Sequence, residues 1–158
     1  MTADASTAPD ISIVVPVYDE RGALPELIEE IDAALAPLGR RSELIFIDDG
    51  STDGSGEYLL ERAAERDDMI VIDLGRNAGK SAALAAGFER SRGEVVVTLD
   101  GDGQDDPAEI PVLLARLDEG YDLVSGWKQV RRDPARRRLA SQEINRNTAM
   151  NSGVGLHD

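Results

Sequence analysis

The sequence predicts an α/β protein built on a mostly parallel, doubly wound sheet with helices on both faces. Three observations predict it. Apolar, β-branched runs alternate with segments of helical periodicity, joined by short links, as in successive βαβ units. The run Val95-Val96-Val97-Thr98-Leu99 reads as a buried strand and ends abruptly in Asp100-Gly101-Asp102-Gly103-Gln104. Polar clusters follow four separate strands, at residues 18–20, 48–51, 75–80 and 100–104, and a parallel sheet gathers such clusters at one edge.

The elements follow in order. Residues 1–10 are small and polar and predict a disordered tail. Ile11 to Val17 forms the first strand. Pro16 has no N–H, so the strand should end near it or leave the ladder there. Leu24, Leu27, Ile28, Ile31, Leu35 and Leu38 recur at helical spacing, with Pro25 in the first turn and Gly39 as the stop. Leu44 to Ile47 is the second strand, followed by the loop Asp48-Asp49-Gly50-Ser51-Thr52-Asp53-Gly54 and a helix to about Arg66. Met69 to Leu74 is the third strand. Gly75 to Lys80 leads into an alanine-rich helix whose small side chains allow close packing on the sheet. After the fourth strand, Asp106-Pro107-Ala108-Glu109 starts a helix with Ile110, Leu113, Leu114 and Leu117 inward. Tyr121 to Ser125 is expected as a fifth strand, and a last helix is expected from about Leu139 to Asn151.

Composition narrows the function. The chain has 158 residues, 41% hydrophobic and 30% charged, which suits one globular domain. It has no cysteine, which excludes disulfide scaffolds, thiolate metal sites and cysteine nucleophiles. The net charge of −14 opposes non-specific nucleic-acid binding. Against that charge, Lys128, Arg131, Arg132, Arg136, Arg137 and Arg138 crowd one stretch with only Asp133 among them. This favours an anion or a membrane surface as partner. No apolar run reaches the ~18 residues of a membrane span, and the N-terminus lacks signal-peptide character.

Asp100 and Asp102 carry the chemistry. Two carboxylates spaced i and i+2 at a strand end repel each other and lose water, and a divalent cation resolves the conflict. Mg2+ and Mn2+ take oxygen ligands, and Gln104 offers a third. The glycines let the backbone turn and let a ligand approach. Two other motifs are decoys. Gly75-Arg76-Asn77-Ala78-Gly79-Lys80-Ser81 nearly matches a P-loop, but three residues separate its glycines where four are needed. No Gly-x-Gly-x-x-Gly follows the first strand, which opposes a dinucleotide oxidoreductase. His157, the lone histidine, reads as a surface or packing residue.

With these residues placed, the sequence resembles glycosyltransferase family 2 with the GT-A fold, a Rossmann-like doubly wound sheet. It is most similar to the polyprenyl-phosphate sugar transferases, the group of dolichyl-phosphate mannose synthase and the bacterial undecaprenyl-phosphate enzymes. The resemblance rests on Val15-Pro16-Val17-Tyr18-Asp19-Glu20, Asp48 to Gly54, Arg76-Asn77-x-Gly79-Lys80, Asp100-Gly101-Asp102-x-Gln104-x-x-Pro107, Ser125-Gly126-Trp127-Lys128 and Leu156-His157-Asp158. It covers residue 11 to the end, giving a domain of residues 11–158. The family's chain continues past Leu156-His157-Asp158, so the domain is expected to be truncated at its C-terminal end.

The resemblance implies roles. Pro16, Tyr18 and Glu20 would line a nucleotide pocket, with Tyr18 against the base. Asp49 would accept a hydrogen bond from the base, and Gly79 and Lys80 would approach the nucleoside. Asp100, with Gly101 beside it, would lie near ribose and metal, while Asp102 and Gln104 would hold Mg2+ or Mn2+ on the diphosphate. Lys128, Arg131, Arg137 and Ser141 would hold the acceptor phosphate. Asp100, Asp102, Lys128 and Arg137 form the expected catalytic set. The implied activity is inverting transfer of a sugar from a UDP- or GDP-linked donor to a polyprenyl phosphate, peripherally at the cytoplasmic membrane face. A lipid phosphate is already anionic and needs a cationic clamp rather than a general base. Transfer to a sugar hydroxyl and a non-catalytic nucleotide-binding module are the alternatives. The implied partners are the nucleotide-sugar, the polyprenyl phosphate and a membrane surface; a homo-oligomer stays open, and nucleic acid is not expected.

Overall fold

The computed structural model describes residues 8–126. The chain divides into two compact units, Met1–Leu114 and Ala115–Asp158. The first holds a four-stranded sheet: β1 (Ile11–Val17), β2 (Ser42–Asp48), β3 (Met69–Asp73) and β4 (Val95–Thr98). The order is β3-β2-β1-β4 and every pairing is parallel. The chain winds outward from β1 to β3, then returns to the other side of β1 for β4. The strand order therefore reverses between β1 and β4, where a parallel sheet opens its ligand crevice.

Helices cover both faces, as the sequence predicts. α1 (Leu24–Leu35) and α2 (Ser55–Ala64) lie on one face, where Leu24, Leu27, Ile31 and Leu59 pack with Ile13, Val15, Leu44 and Phe46. Ile110 and Leu114 of α4 (Ile110–Leu117) join the same cluster. α3 (Lys80–Arg90) covers the other face through Ala83 against Val14, Ile45 and Ile47. It packs so closely that a Cβ on Gly87 would lie 2.4 Å from Val14 Cγ1. Only small residues allow that approach.

Several details refine the expectations. α1 stops at Leu35, and the predicted last turn is instead a 3-10 turn over Ala36–Leu38 closed by Gly39 at φ 60°. Pro37 explains this, because it removes a donor the α-helix would need. Pro16 stays paired with Ile47 of β2, and that ladder runs on to Val17 and Asp48. On the β4 side pairing ends at Val14 and Thr98. The oxygens of Asp10 and Val14 accept from Val95 and Leu99, so even-numbered residues of β1 face β4. Pro16 is the next on that side and has no N–H to give, so the proline stops one ladder and not the other. Asp106 caps the segment entering α4, its side chain accepting from the Ala108 amide at 2.9 Å.

The expected fifth strand is not formed. Residues 121–126 are irregular, and Tyr121 and Leu123 are 60% and 84% exposed. The alternation suits a strand, but among the described residues no partner ladder forms there. Asp10, at the end of the expected tail, donates its amide to the Arg41 carbonyl oxygen at 2.8 Å, and its carboxylate accepts from the Arg41 amide at 2.9 Å.

At the N-terminal edge of the strands, Glu43 is buried. Ser12 Oγ donates to Glu43 Oε1 at 2.7 Å, and the Arg92 amide donates to the same oxygen at 2.7 Å. The Arg92 guanidinium donates to Oε2. Burial alone would raise the Glu43 carboxyl, but these bonds together hold it below its ordinary value. At the far end of α1, Arg66 donates to both oxygens of Asp32 and both of Asp68, tying that helix to the start of β3.

Candidate functional site

The site forms where the carboxyl ends of β1, β2 and β4 meet. The loop after β1 is held by the loop after β2. Asp19 adopts φ 55°, uncommon without a fixing partner, and its amide donates to Ser51 Oγ at 3.0 Å. The Thr52 amide returns a bond to Asp19 Oδ1 at 2.6 Å. The Glu20 amide donates to Ser55 Oγ at 3.0 Å, and the Arg21 amide to Asp53 Oδ2 at 2.9 Å. Asp53 accepts from the Ser55 hydroxyl and amide through its other oxygen, and these bonds hold its carboxyl below the ordinary value. Tyr18 is thereby presented half-exposed, and Glu20 lies within reach of the charges of Asp102, Asp53 and Asp19.

Asp49 organises the next wall. It is buried, and its two oxygens accept from the Ala78 and Gly79 amides at 2.6 and 2.9 Å. Gly50, at φ 75°, lets the loops meet: a Cβ there would fall 2.5 Å from the Arg76 carbonyl carbon. The two amides that a P-loop would offer a phosphate are thus already held by a protein carboxylate. Gly79, at φ 93°, precedes α3, and Lys80 is its first residue. Lys80 Nζ reaches Asp100 Oδ1 at 2.5 Å.

The Asp100-Gly101-Asp102 turn forms the third wall. The Asp100 amide donates to Asp105 Oδ2 at 2.8 Å, and the Gln104 amide to Asp102 Oδ1 at 3.0 Å. Gly103 takes φ 70°. Gly101 is buried against β1, where a Cβ would lie 2.9 Å from the Pro16 carbonyl oxygen. Asp102 and Gln104 are exposed at the mouth. Glu20 is raised above the ordinary carboxylate range, first by partial burial, then by the charges of Asp102, Asp53 and Asp19. Negative charge therefore gathers at the rim, where Lys80 pairs with Asp100.

That environment fits a hard divalent cation. The available donors are carboxylate and amide oxygens, the type Mg2+ and Mn2+ prefer. Among the described residues no group of three or more His, Cys, Asp or Glu side chains is arranged to hold a metal.

The fold thus brings Pro16, Tyr18, Glu20, Asp49, Gly79, Lys80, Asp100, Gly101, Asp102 and Gln104 to one edge. Lys128, Arg131, Arg137, Ser141 and His157 lie outside the described residues, as does the expected helix from Leu139. Sequence reading missed the staples Ser51, Thr52, Asp53 and Ser55 as parts of the site. Their signal was present, since Asp, Ser and Thr after a strand bond to nearby backbone amides. Which distant loop they would fasten was not visible. Among the described residues no helix is long and apolar enough to cross a membrane.

Comparisons with known proteins bear on the family and the fold. A transferase from Pseudomonas paraeruginosa, undecaprenyl-phosphate 4-deoxy-4-formamido-L-arabinose transferase, is 47% identical over 150 residues, covering 94% of this chain and 44% of its own. The Klebsiella pneumoniae protein of the same name is 45% identical over 149 residues, covering 94% of this chain and 46% of its own. The chain therefore spans less than half the length of these relatives. Among solved structures, the mannosyltransferase PcManGT from Pyrobaculum calidifontis, in complex with GDP-Man and Mn2+, matches with TM-score 0.53 and 27% identity over 63% of this chain and 29% of that one. TarS residues 1–349 from S. aureus match with TM-score 0.56 over 78% of this chain and 40% of that one; at 18% identity this speaks to the fold alone. The GT-A type of fold is shared with these neighbours. The model for glycosyl transferase family 2 matches residues 12–154, and the chain belongs to that family.

Proposed function

We propose that this chain supplies the donor-binding part of an inverting glycosyltransferase that moves a sugar from a UDP- or GDP-linked donor to a polyprenyl phosphate, with Mg2+ or Mn2+. The observation that carries it is the placement of Asp100-Gly101-Asp102 at the strand-order reversal, between the Glu20 loop and the Asp49-held Gly79-Lys80 loop. Relatives named for transfer to undecaprenyl phosphate favour a lipid phosphate over a sugar hydroxyl as acceptor.

Asp102 and Gln104, with Asp100, would hold the cation, which when bound neutralises the diphosphate and the charge it gains on leaving. The chain's own residues do the rest. Tyr18 offers a half-exposed ring at the pocket mouth for the base. Asp49 fixes the Gly79 backbone that faces the nucleoside, and each carboxylate oxygen keeps lone-pair capacity for a further donor such as a base N–H. Gly101 lets the turn lie against Pro16, so the carboxylates stand at the crevice rather than above it. Lys128, Arg131, Arg137 and Ser141 are the proposed clamp for the acceptor phosphate. Bringing two anions together is the main obstacle to this reaction, and a cationic clamp lowers it. The proposed setting is the cytoplasmic face of the membrane, with the basic stretch against anionic headgroups.

A thermal-shift screen of UDP- and GDP-sugars with and without Mn2+ tests this reading. A ligand that binds only the native state raises the melting temperature by mass action. The expected result is a shift with one nucleotide class that requires the cation. No shift with either class would overturn the reading.

A further inference from the structure

The acidic rim meets a cation at a position fixed by the fold. Lys80 opens α3, and its ammonium lies 2.5 Å from Asp100 Oδ1, with the two side chains 59% and 37% exposed. A positive charge in the first turn of a helix opposes the helix dipole, so a facing carboxylate compensates for its placement. The start of α3 is in turn set by Asp49 through Ala78 and Gly79. Asp102 differs: among the described residues it accepts the Gln104 amide and forms no ion pair. One aspartate of the pair is thus neutralised by the protein and the other is left open.

Resting on the donor and metal reading above, we propose that Lys80 is a positioning residue that occupies Asp100 in the donor-free protein and yields it to the divalent cation as the nucleotide diphosphate arrives. While Lys80 holds Asp100, a cation alone must compete with an ammonium for one of its two carboxylates, and it binds weakly. When the diphosphate arrives with the cation, the displaced ammonium finds phosphate oxygens as new partners. Cation and nucleotide then bind cooperatively, and the rim does not fill with metal before the donor is present.

Mn2+ titration without nucleotide, read from the electron paramagnetic resonance signal of the free ion, tests the proposal on wild type, Lys80→Met and Lys80→Arg. Removing a unit charge beside a doubly charged ion at a solvent-exposed site changes affinity by roughly tenfold. Lys80→Met is expected to bind Mn2+ about tenfold more tightly than wild type, and Lys80→Arg to match wild type. Adding UDP or GDP should reverse the order, with wild type tighter than Lys80→Met. Lys80→Gln serves equally if the methionine variant does not fold. Unchanged or weaker nucleotide-free Mn2+ binding in the neutral variants would overturn the proposal. If instead the nucleotide-free order holds and neither nucleotide affects any variant, the donor reading fails while the Lys80–Asp100 competition stands.

Discussion

The carboxylate of Asp49 is committed to the backbone of Gly79 and its neighbour Ala78, at 2.9 and 2.6 Å. An acid at the end of β2 thereby shapes a loop some 30 residues along the chain, and with it the start of α3 and the position of Lys80. Asp49→Ala leaves two amides without their acceptor in a part-buried place. Each costs about 1–3 kcal/mol, so a loss of about 2–6 kcal/mol is expected in urea unfolding, with weaker nucleotide binding. Wild-type stability in this variant would mean that the loop holds its shape without Asp49.

Gly101 illustrates a second dependence. A Cβ there would lie 2.9 Å from the Pro16 carbonyl oxygen and 3.2 Å from Val17 Cγ2. Gly101→Ala must push the turn away from β1 at a cost of about 1–3 kcal/mol. Because Asp100 and Asp102 flank the moved residue, calorimetry should show cation-dependent nucleotide affinity falling at least about tenfold. Full affinity would show that the turn tolerates displacement.

Two glutamates predict opposite pH effects. Glu43 is held below its ordinary value in the folded protein. The unfolded chain therefore binds its proton more readily, and the stability from Glu43 is present above the ordinary carboxylate range and lost as pH falls through the lowered value. Glu43→Gln removes that contribution and sets an amide N–H2 against Arg92, with an expected loss of about 1–3 kcal/mol at neutral pH. The difference from wild type should narrow in acid.

Glu20 is held above its ordinary value. The folded protein binds that proton more readily, so stability falls as pH rises from the ordinary range through the raised value. Glu20→Gln is expected to raise the melting temperature at neutral pH, and the gain should vanish at pH below the ordinary carboxylate range. A gain independent of pH would show that neither burial of the Glu20 charge nor its repulsion by Asp102, Asp53 and Asp19 is the source.

Much of this architecture was legible in the residues. Ile11 to Val17 announces a buried strand because a parallel strand covered on both faces has no polar side to show. The spacing of Leu24, Leu27, Ile28 and Ile31 announces α1 for the same reason, one apolar stripe facing the core. Val95 to Leu99 announces a strand as well, but among the described residues β4 ends the sheet, with Val97 and Leu99 buried and Val96 and Thr98 exposed, so its apolar run overstated its burial. The Asp100-Gly101-Asp102 turn was legible as a candidate site because two carboxylates so close together at a strand end repel each other. What escaped were relations between distant loops. Ser51, Thr52, Asp53 and Ser55 are visibly turn formers, yet their bonds to Asp19, Glu20 and Arg21 follow from the sheet register. That register aligns Val17 with Asp48. The buried Glu43 escaped too, since its partners Ser12 and Arg92 meet it only once β1, β2 and the end of α3 are assembled. Tyr121 to Ser125 misled because alternation records what a strand could bury, not whether a neighbouring strand exists to pair with it.

The central claim is that Asp102 serves a cation on the donor diphosphate. Isothermal titration of UDP and GDP into wild type and Asp102→Asn, each with Mn2+ and with chelator, tests it most directly. Wild type should bind one nucleotide at least about tenfold more tightly with Mn2+, and Asp102→Asn, still folded, should lose that Mn2+ dependence. Undiminished Mn2+-dependent binding in Asp102→Asn would contradict the account.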